Sequence, residues 1–272
     1  MHPPPTLPNA PSLAACAAAP AVGRKELDFA AYQTRYVALE VLYLGHQYDG
    51  FARQDTTQAT IEEHLFAALR KTRLAPAAAS WQELQYSRGG RTDKGVSGLG
   101  QVVALRLRSA GRAGQASVAE EAELDYPMLI NRALPDDIRV LGWATAPEGF
   151  SARFSARFRE YKYFIIADAG LDVGRMRAAA AHLVGEHDFR NFCKPDVAAV
   201  RSFRRRVMEV RVERMEGLEW GGRSMLELYI QGTAFLYHQV RRTTCCSAQR
   251  AWATEEGTWC VCAAHSHSVG RP

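Results

Sequence analysis

The sequence predicts an α+β fold, with a mixed, largely antiparallel sheet flanked by helices. Short runs of β-forming residues recur along most of the chain. Helical patterns separate some of these runs, while others follow one another as hairpins would. No internal repeat at the period of a solenoid is present, so one layered architecture has to account for the whole. At 272 residues, 47% of them hydrophobic and 23% charged, the chain has room for one large domain or two fused ones.

Residues 1–26, opening "MHPPPTLPNAPSLAACAAAPAVG", are expected to form a disordered Pro/Ala-rich tail. No Lys or Arg precedes Arg24, which argues against a secretory signal and a mitochondrial presequence. An N-terminal α/β half is expected over 27–120 and a C-terminal α/β half over 121–242, followed by a divergent Cys-rich tail over 243–272.

Within the first half, "YVALEVLYL" from Tyr36 to Leu44 reads as a buried strand. Thr60 and Glu63 form a T-x-x-E capping pair that opens a helix with Ile61, Leu65 and Leu69 on one face. "QVVALRL" (Gln101–Leu107) is a second strand, and residues 109–123, rich in Ala, Gly and Glu, read as a mobile connection. In the second half, Asp125–Leu134 has the spacing of a short helix stopped by Pro135, and "DIRVLGWATA" returns to strand. "EYKYFIIA" (Glu160–Ala167) is another strand, "VGRMRAAAAHLVG" is helical, and "MEVRVER" and "MLELYIQG" alternate as strands with one wet face.

The net charge of +5 suits an anionic partner such as nucleic acid without requiring one. No apolar run reaches the ~18–20 residues of a membrane span. Six cysteines in a chain of this length do not make a disulfide scaffold, which favours a reduced, intracellular setting. Cys245, Cys246, Cys260 and Cys262, with His265 and His267, crowd the tail, but C-C and C-x-C are not the spacing of structural zinc sites, so no metal is expected.

The informative stretch is "SRGGRTDKGVSGLGQVVAL", Ser87–Leu105. A dinucleotide fingerprint fails because Val103 stands where the third glycine belongs, and a phosphate loop fails because Val96 replaces its lysine. What remains is one carboxylate, Asp93, among Gly89, Gly90 and Gly95, with Arg91 and Lys94 placed to favour its ionised form. On these residues alone, a solvated turn and a site built on a carboxylate nucleophile both stay open.

"GGRTDKGVSGLGQV" closely resembles the G-R-T-D-x-G-V-x-x-x-G-Q-V signature of the TruA-type tRNA pseudouridine synthases. Other pieces agree in order: "YDGFARQ", "TIEEHLFAALRKTRL", "NRALPDDIRVLGWATAPEGFSARFSARFREYKYFI", "GEHDFRNFCK" and "GTAFLYHQVRR". The resemblance covers about residues 27 to 241. It is greatest to the eukaryotic branch that acts on positions 38 and 39 of the anticodon arm.

The resemblance implies a pseudouridine synthase fold and an isomerase that needs no cofactor. It implies Asp93 as the catalytic carboxylate, Tyr161 against the flipped base, and Arg241 as partner of the aspartate. Arg91 is a second candidate partner, for Asp93 or for the RNA backbone. Tyr163 is expected in the core, and His187 and His238 as local hydrogen-bonding residues. Basic surface for RNA is expected at Arg153, Arg157, Arg159 and Lys162, and at Arg201, Arg204, Arg205, Arg206, Arg211 and Arg214. The partners implied are tRNA and a second copy of the chain, with no membrane, in the nucleus or cytoplasm. After Arg241 the sequence departs from the family pattern: the usual C-terminal helix and strand are expected to be missing. The alternative reading is then an inactive form that only binds tRNA or a partner chain.

Overall fold

The computed structural model describes residues 27–167, 170–194, 200–249 and 262–268, with the backbone alone for 245–249 and 262–268. Its elements run in the order β1 (Tyr32–Tyr43), α1 (Ile61–Lys71), β2 (Ser87–Arg88), β3 (Ser97–Arg112), α2 (Tyr126–Asn131) and β4 (Ile138–Thr145). Next come β5 (Ala156–Ile166), α3 (Val173–Ala181), β6 (Gly185–Asp188), β7 (Arg204–Trp220), β8 (Arg223–Gly232), α4 (Gln239–Gln249) and β9 (Cys262–Ser268). The strands form one nine-stranded sheet in the order β4-β1-β3-β9-β5-β8-β7-β6, with β2 paired to β3 alongside. Among these pairs, β3 with β9 is parallel and the others are antiparallel.

Alternation explains the strands. In β1 the side chains of Val37, Leu39, Val41 and Tyr43 are fully buried, on the face that receives α1 and α2. Helix α1 starts where the Thr60 hydroxyl accepts from the Glu63 backbone N–H. The reciprocal half of the capping pair is not made, because the Glu63 carboxylate is 3.1 Å from Arg53 instead. Ile61, Leu65 and Leu69 carry the buried stripe of this helix. A second core gathers Tyr163 and Ile165 of β5, Met176 of α3 and Leu226, Leu228 and Ile230 of β8.

Two expectations are corrected. Residues 109–112 belong to β3, and the segment after them is tied down rather than mobile. The buried Glu123 carboxylate accepts from Arg35 at 2.7 Å, from the Ser109 hydroxyl at 2.6 Å and from the Ala110 backbone N–H at 2.6 Å. Local composition hid this anchor, because its partners lie in distant strands.

A helix and a strand also stand beyond residue 242, where none was expected. "RTTCCSAQ" has little apolar patterning, but the Thr243 and Thr244 hydroxyls donate to carbonyls one turn back at Gln239 and Val240, so both stay buried within α4. Strand β9 occupies the slot between β3 and β5, where backbone pairing on both sides can hold a strand without an apolar pattern. The N-terminal tail and Cys260 lie outside the described residues, as do the side chains of Cys245, Cys246, Cys262, His265 and His267.

Candidate active site

Asp93 lies between β2 and β3, in a loop clasped by the turn after β1. The Phe51 N–H donates to the Thr92 carbonyl at 3.1 Å, and the Gly95 N–H donates to the Tyr48 carbonyl at 3.1 Å. This approach requires glycine at position 50: its φ is +112°, and a Cβ there would lie 2.8 Å from the Thr92 carbonyl oxygen. On the far side of Asp93 the chain reverses, the Val96 N–H donating to the Asp93 carbonyl at 3.2 Å, with Gly95 at φ +79°. Below the loop, the Tyr43 and Thr92 hydroxyls meet at 2.8 Å in the core.

The start of the loop is fixed by a carboxylate on α1. Glu62, whose side chain is 0% exposed, accepts from Arg88, from the Tyr86 hydroxyl at 2.6 Å and from the Arg53 backbone N–H at 2.8 Å. Burial and the neighbouring Glu62 carboxylate push the Tyr86 phenol well above its ordinary pKa, so it remains a donor.

One guanidinium joins this loop to two others. Arg159 in β5 donates to the Gly89 carbonyl at 2.9 Å, to the Arg153 carbonyl at 2.6 Å and to the Thr233 carbonyl at 2.7 Å. It is therefore half-buried structural bracing, not the phosphate-facing surface charge expected from the sequence. Arg159, Tyr161 and Tyr163 alternate on β5 and share one face, and a charge on that face needs fixed partners.

The loop that follows Thr233 brings His238 to Asp93. Its Nε2 is 3.5 Å from Asp93 Oδ2, and its backbone holds φ +61°, an unusual conformation for a residue other than glycine. The exposed Tyr237 ring packs against the imidazole at 3.9 Å between centroids. In the sequence His238 is expected only as a local hydrogen-bonding residue. Its place beside the carboxylate depends on a loop reversal that spacing does not reveal.

Asp93 is partly exposed, its side chain at 35%. Burial raises its carboxyl above its ordinary pKa, and the charges of His238 and Arg241 pull the other way. This corrects the electrostatics expected from the sequence. Lys94 is 2.7 Å from Asp49 and Arg91 is exposed, so the cations that act on Asp93 come from the far end of the chain. Arg241, in the first turn of α4, thus shares the site with Asp93.

Tyr161 lies at the margin of the second core, its ring edge-on to Phe235 at 5.3 Å, whereas Tyr163 is buried. His187 contacts the Val184 carbonyl at 2.9 Å. Of the expected basic surface, Lys162 is 2.9 Å from Glu227, Arg204 2.8 Å from Glu186 and Arg211 2.9 Å from Glu209, while Arg201, Arg206 and Arg214 are exposed. Among the described residues no group of three or more His, Cys, Asp or Glu is placed to hold a metal ion. No described helix is long and apolar enough to cross a membrane.

The tRNA pseudouridine synthase family profile matches residues 179–260. Human tRNA pseudouridine(38/39) synthase is 46% identical over 233 residues, covering 80% of this chain and 48% of that protein. The Saccharomyces cerevisiae tRNA pseudouridine(38/39) synthase is 37% identical over 223 residues, covering 80% and 49%. The chain thus spans about half the length of these curated relatives. Methanosarcina mazei tRNA pseudouridine synthase A is 31% identical over 227 residues, covering 83% of this chain and 74% of that protein. With similarity to this archaeal relative that reaches across most of both chains, the protein belongs to the TruA-type tRNA pseudouridine synthase family.

Proposed function

We propose that this chain isomerises uridine to pseudouridine in the anticodon arm of tRNA, at positions 38 and 39, with Asp93 as the catalytic carboxylate. The observation that carries the reading is the placement of Asp93: a half-buried carboxylate on a braced loop, faced by His238 and Arg241. The relatives named for positions 38 and 39 support the choice of substrate.

The uridine leaves its stack at a cost of a few kcal/mol, which an aromatic surface in the site offsets. Tyr161 supplies that surface. The N1–C1′ bond breaks, the base turns, and a C5–C1′ bond forms. C5 then loses its proton and N1 gains one, so atoms balance and no electrons are exchanged. The ionised Asp93 carboxylate acts on the base or sugar while Arg241 and His238 hold it in place. Arg91 and the exposed arginines of β7 contact phosphates. The working form is a homodimer in the nucleus or cytoplasm.

The test is purified chain with unmodified tRNA transcript, mapping pseudouridine by position. Product at 38 and 39 supports the reading. Salt-sensitive tRNA binding without product would instead leave the chain as a binder, and no binding would end the proposal.

A further inference from the structure

Phe154 is 81% exposed, more than any other large apolar side chain among the described residues. Its loop is braced. The Phe154 and Ser155 N–H groups donate to the Ser151 carbonyl at 3.1 and 2.8 Å, and the Ala152 N–H donates to the Ser87 hydroxyl at 3.0 Å. Ala152 itself is fully buried, and the Tyr36 hydroxyl donates to the Phe150 carbonyl at 2.8 Å. A ring held out by fixed backbone loses little conformational freedom when something stacks on it.

The chemistry around the ring selects the partner. The Arg153 guanidinium lies 5.3 Å from the ring centroid. Arg153 and Arg157 are exposed on this segment, while the carboxylates that bound it are engaged elsewhere, Glu148 lying 3.6 Å from Arg106 and Glu160 accepting from the Tyr229 hydroxyl. An exposed aromatic face with a guanidinium beside it fits a ligand that is both planar and anionic, and an unpaired nucleotide is such a ligand. The location fits as well: the same Arg159 Nη2 that holds the Arg153 carbonyl holds Gly89, at the head of the Asp93 loop.

We propose that Phe154 and Arg153 form a stacking platform for an unpaired nucleobase of the RNA strand, beside the nucleotide that enters the Asp93 site. This rests on the tRNA reading above. The platform adds affinity without base preference, because every base has a π-face.

The test uses the full chain and an anticodon stem-loop RNA carrying 2-aminopurine at successive loop positions, with fluorescence read on titration. The wild type should quench the probe at one or two positions. Phe154→Ala should abolish that quenching and weaken binding about 5- to 150-fold, the range for losing one base–aromatic stack. Phe154→Trp should restore both, and Phe154→Leu should behave as Phe154→Ala, since leucine offers apolar area without a π-face. Phe154→Ala binding as tightly as the wild type overturns the platform, as does Phe154→Leu binding like the wild type; either leaves the ring to a protein partner. If the wild type forms pseudouridine on this RNA while Phe154→Ala binds unchanged, the platform falls and the proposed function stands. A wild type that neither binds nor modifies the RNA overturns both.

Discussion

His238 Nε2 stands 3.5 Å from Asp93 Oδ2, bringing together two loops 145 residues apart in the chain. One loop is held by α1 and the turn after β1, the other by α4, and Arg159 links them through backbone carbonyls. The charge state of Asp93 therefore depends on how the two halves meet.

Turnover that requires ionised Asp93 should fall as pH drops through a pKa above the ordinary carboxylate value, because burial raises it. His238 and Arg241 oppose that rise, so His238→Gln should move the acid limb of the kcat/KM profile to higher pH. An acid limb that stays in place, or moves down, would show that the imidazole does not act on the carboxylate.

Asp93→Asn should lower turnover by at least about a thousandfold while tRNA binding persists. The same change should raise the melting temperature at neutral pH. A carboxyl whose folded pKa is raised costs stability once pH exceeds its unfolded value, and the neutral amide escapes that cost. The gain should shrink as pH falls toward the unfolded pKa. Melts of both proteins across pH check the sign.

Arg159→Lys should lower kcat/KM by about 10- to 100-fold, with most of the loss in kcat. A single ammonium cannot span the three carbonyls that the planar guanidinium reaches. If lysine restores full kcat to an Arg159→Ala variant, charge rather than bracing is what matters.

Gly50→Ala should cost about 1–3 kcal/mol, because a side chain is strained at φ +112° and meets the Thr92 carbonyl. Activity should fall further than stability alone explains, since the displaced backbone carries Asp93. Denaturant titration and kinetics on the same preparation separate the two effects.

Glu62→Ala should destabilise by roughly 3–5 kcal/mol, leaving Arg88 and the Tyr86 hydroxyl without their shared acceptor. Urea unfolding measures this directly. A loss within the error of the measurement would mean that water takes over the role of the carboxylate.

The nearly continuous run of β-forming residues from Tyr36 to Leu44, the capping Thr60 and the Asp125–Pro135 interval made β1, α1 and α2 legible, because each is set by residues close together in the chain. The glycine loop with its single carboxylate was legible for the same reason, and its order with the later motifs pointed to the family. Tertiary structure alone decided which cations face Asp93: Lys94 turns to Asp49, while His238 and Arg241 arrive across the sheet. It also decided that Arg159 is bracing, and that a polar tail forms α4 and β9. Local sequence records propensity and periodicity. Burial, charge pairing and the filling of an open sheet slot depend on residues far apart in the chain, whose distances exist only once the fold has closed.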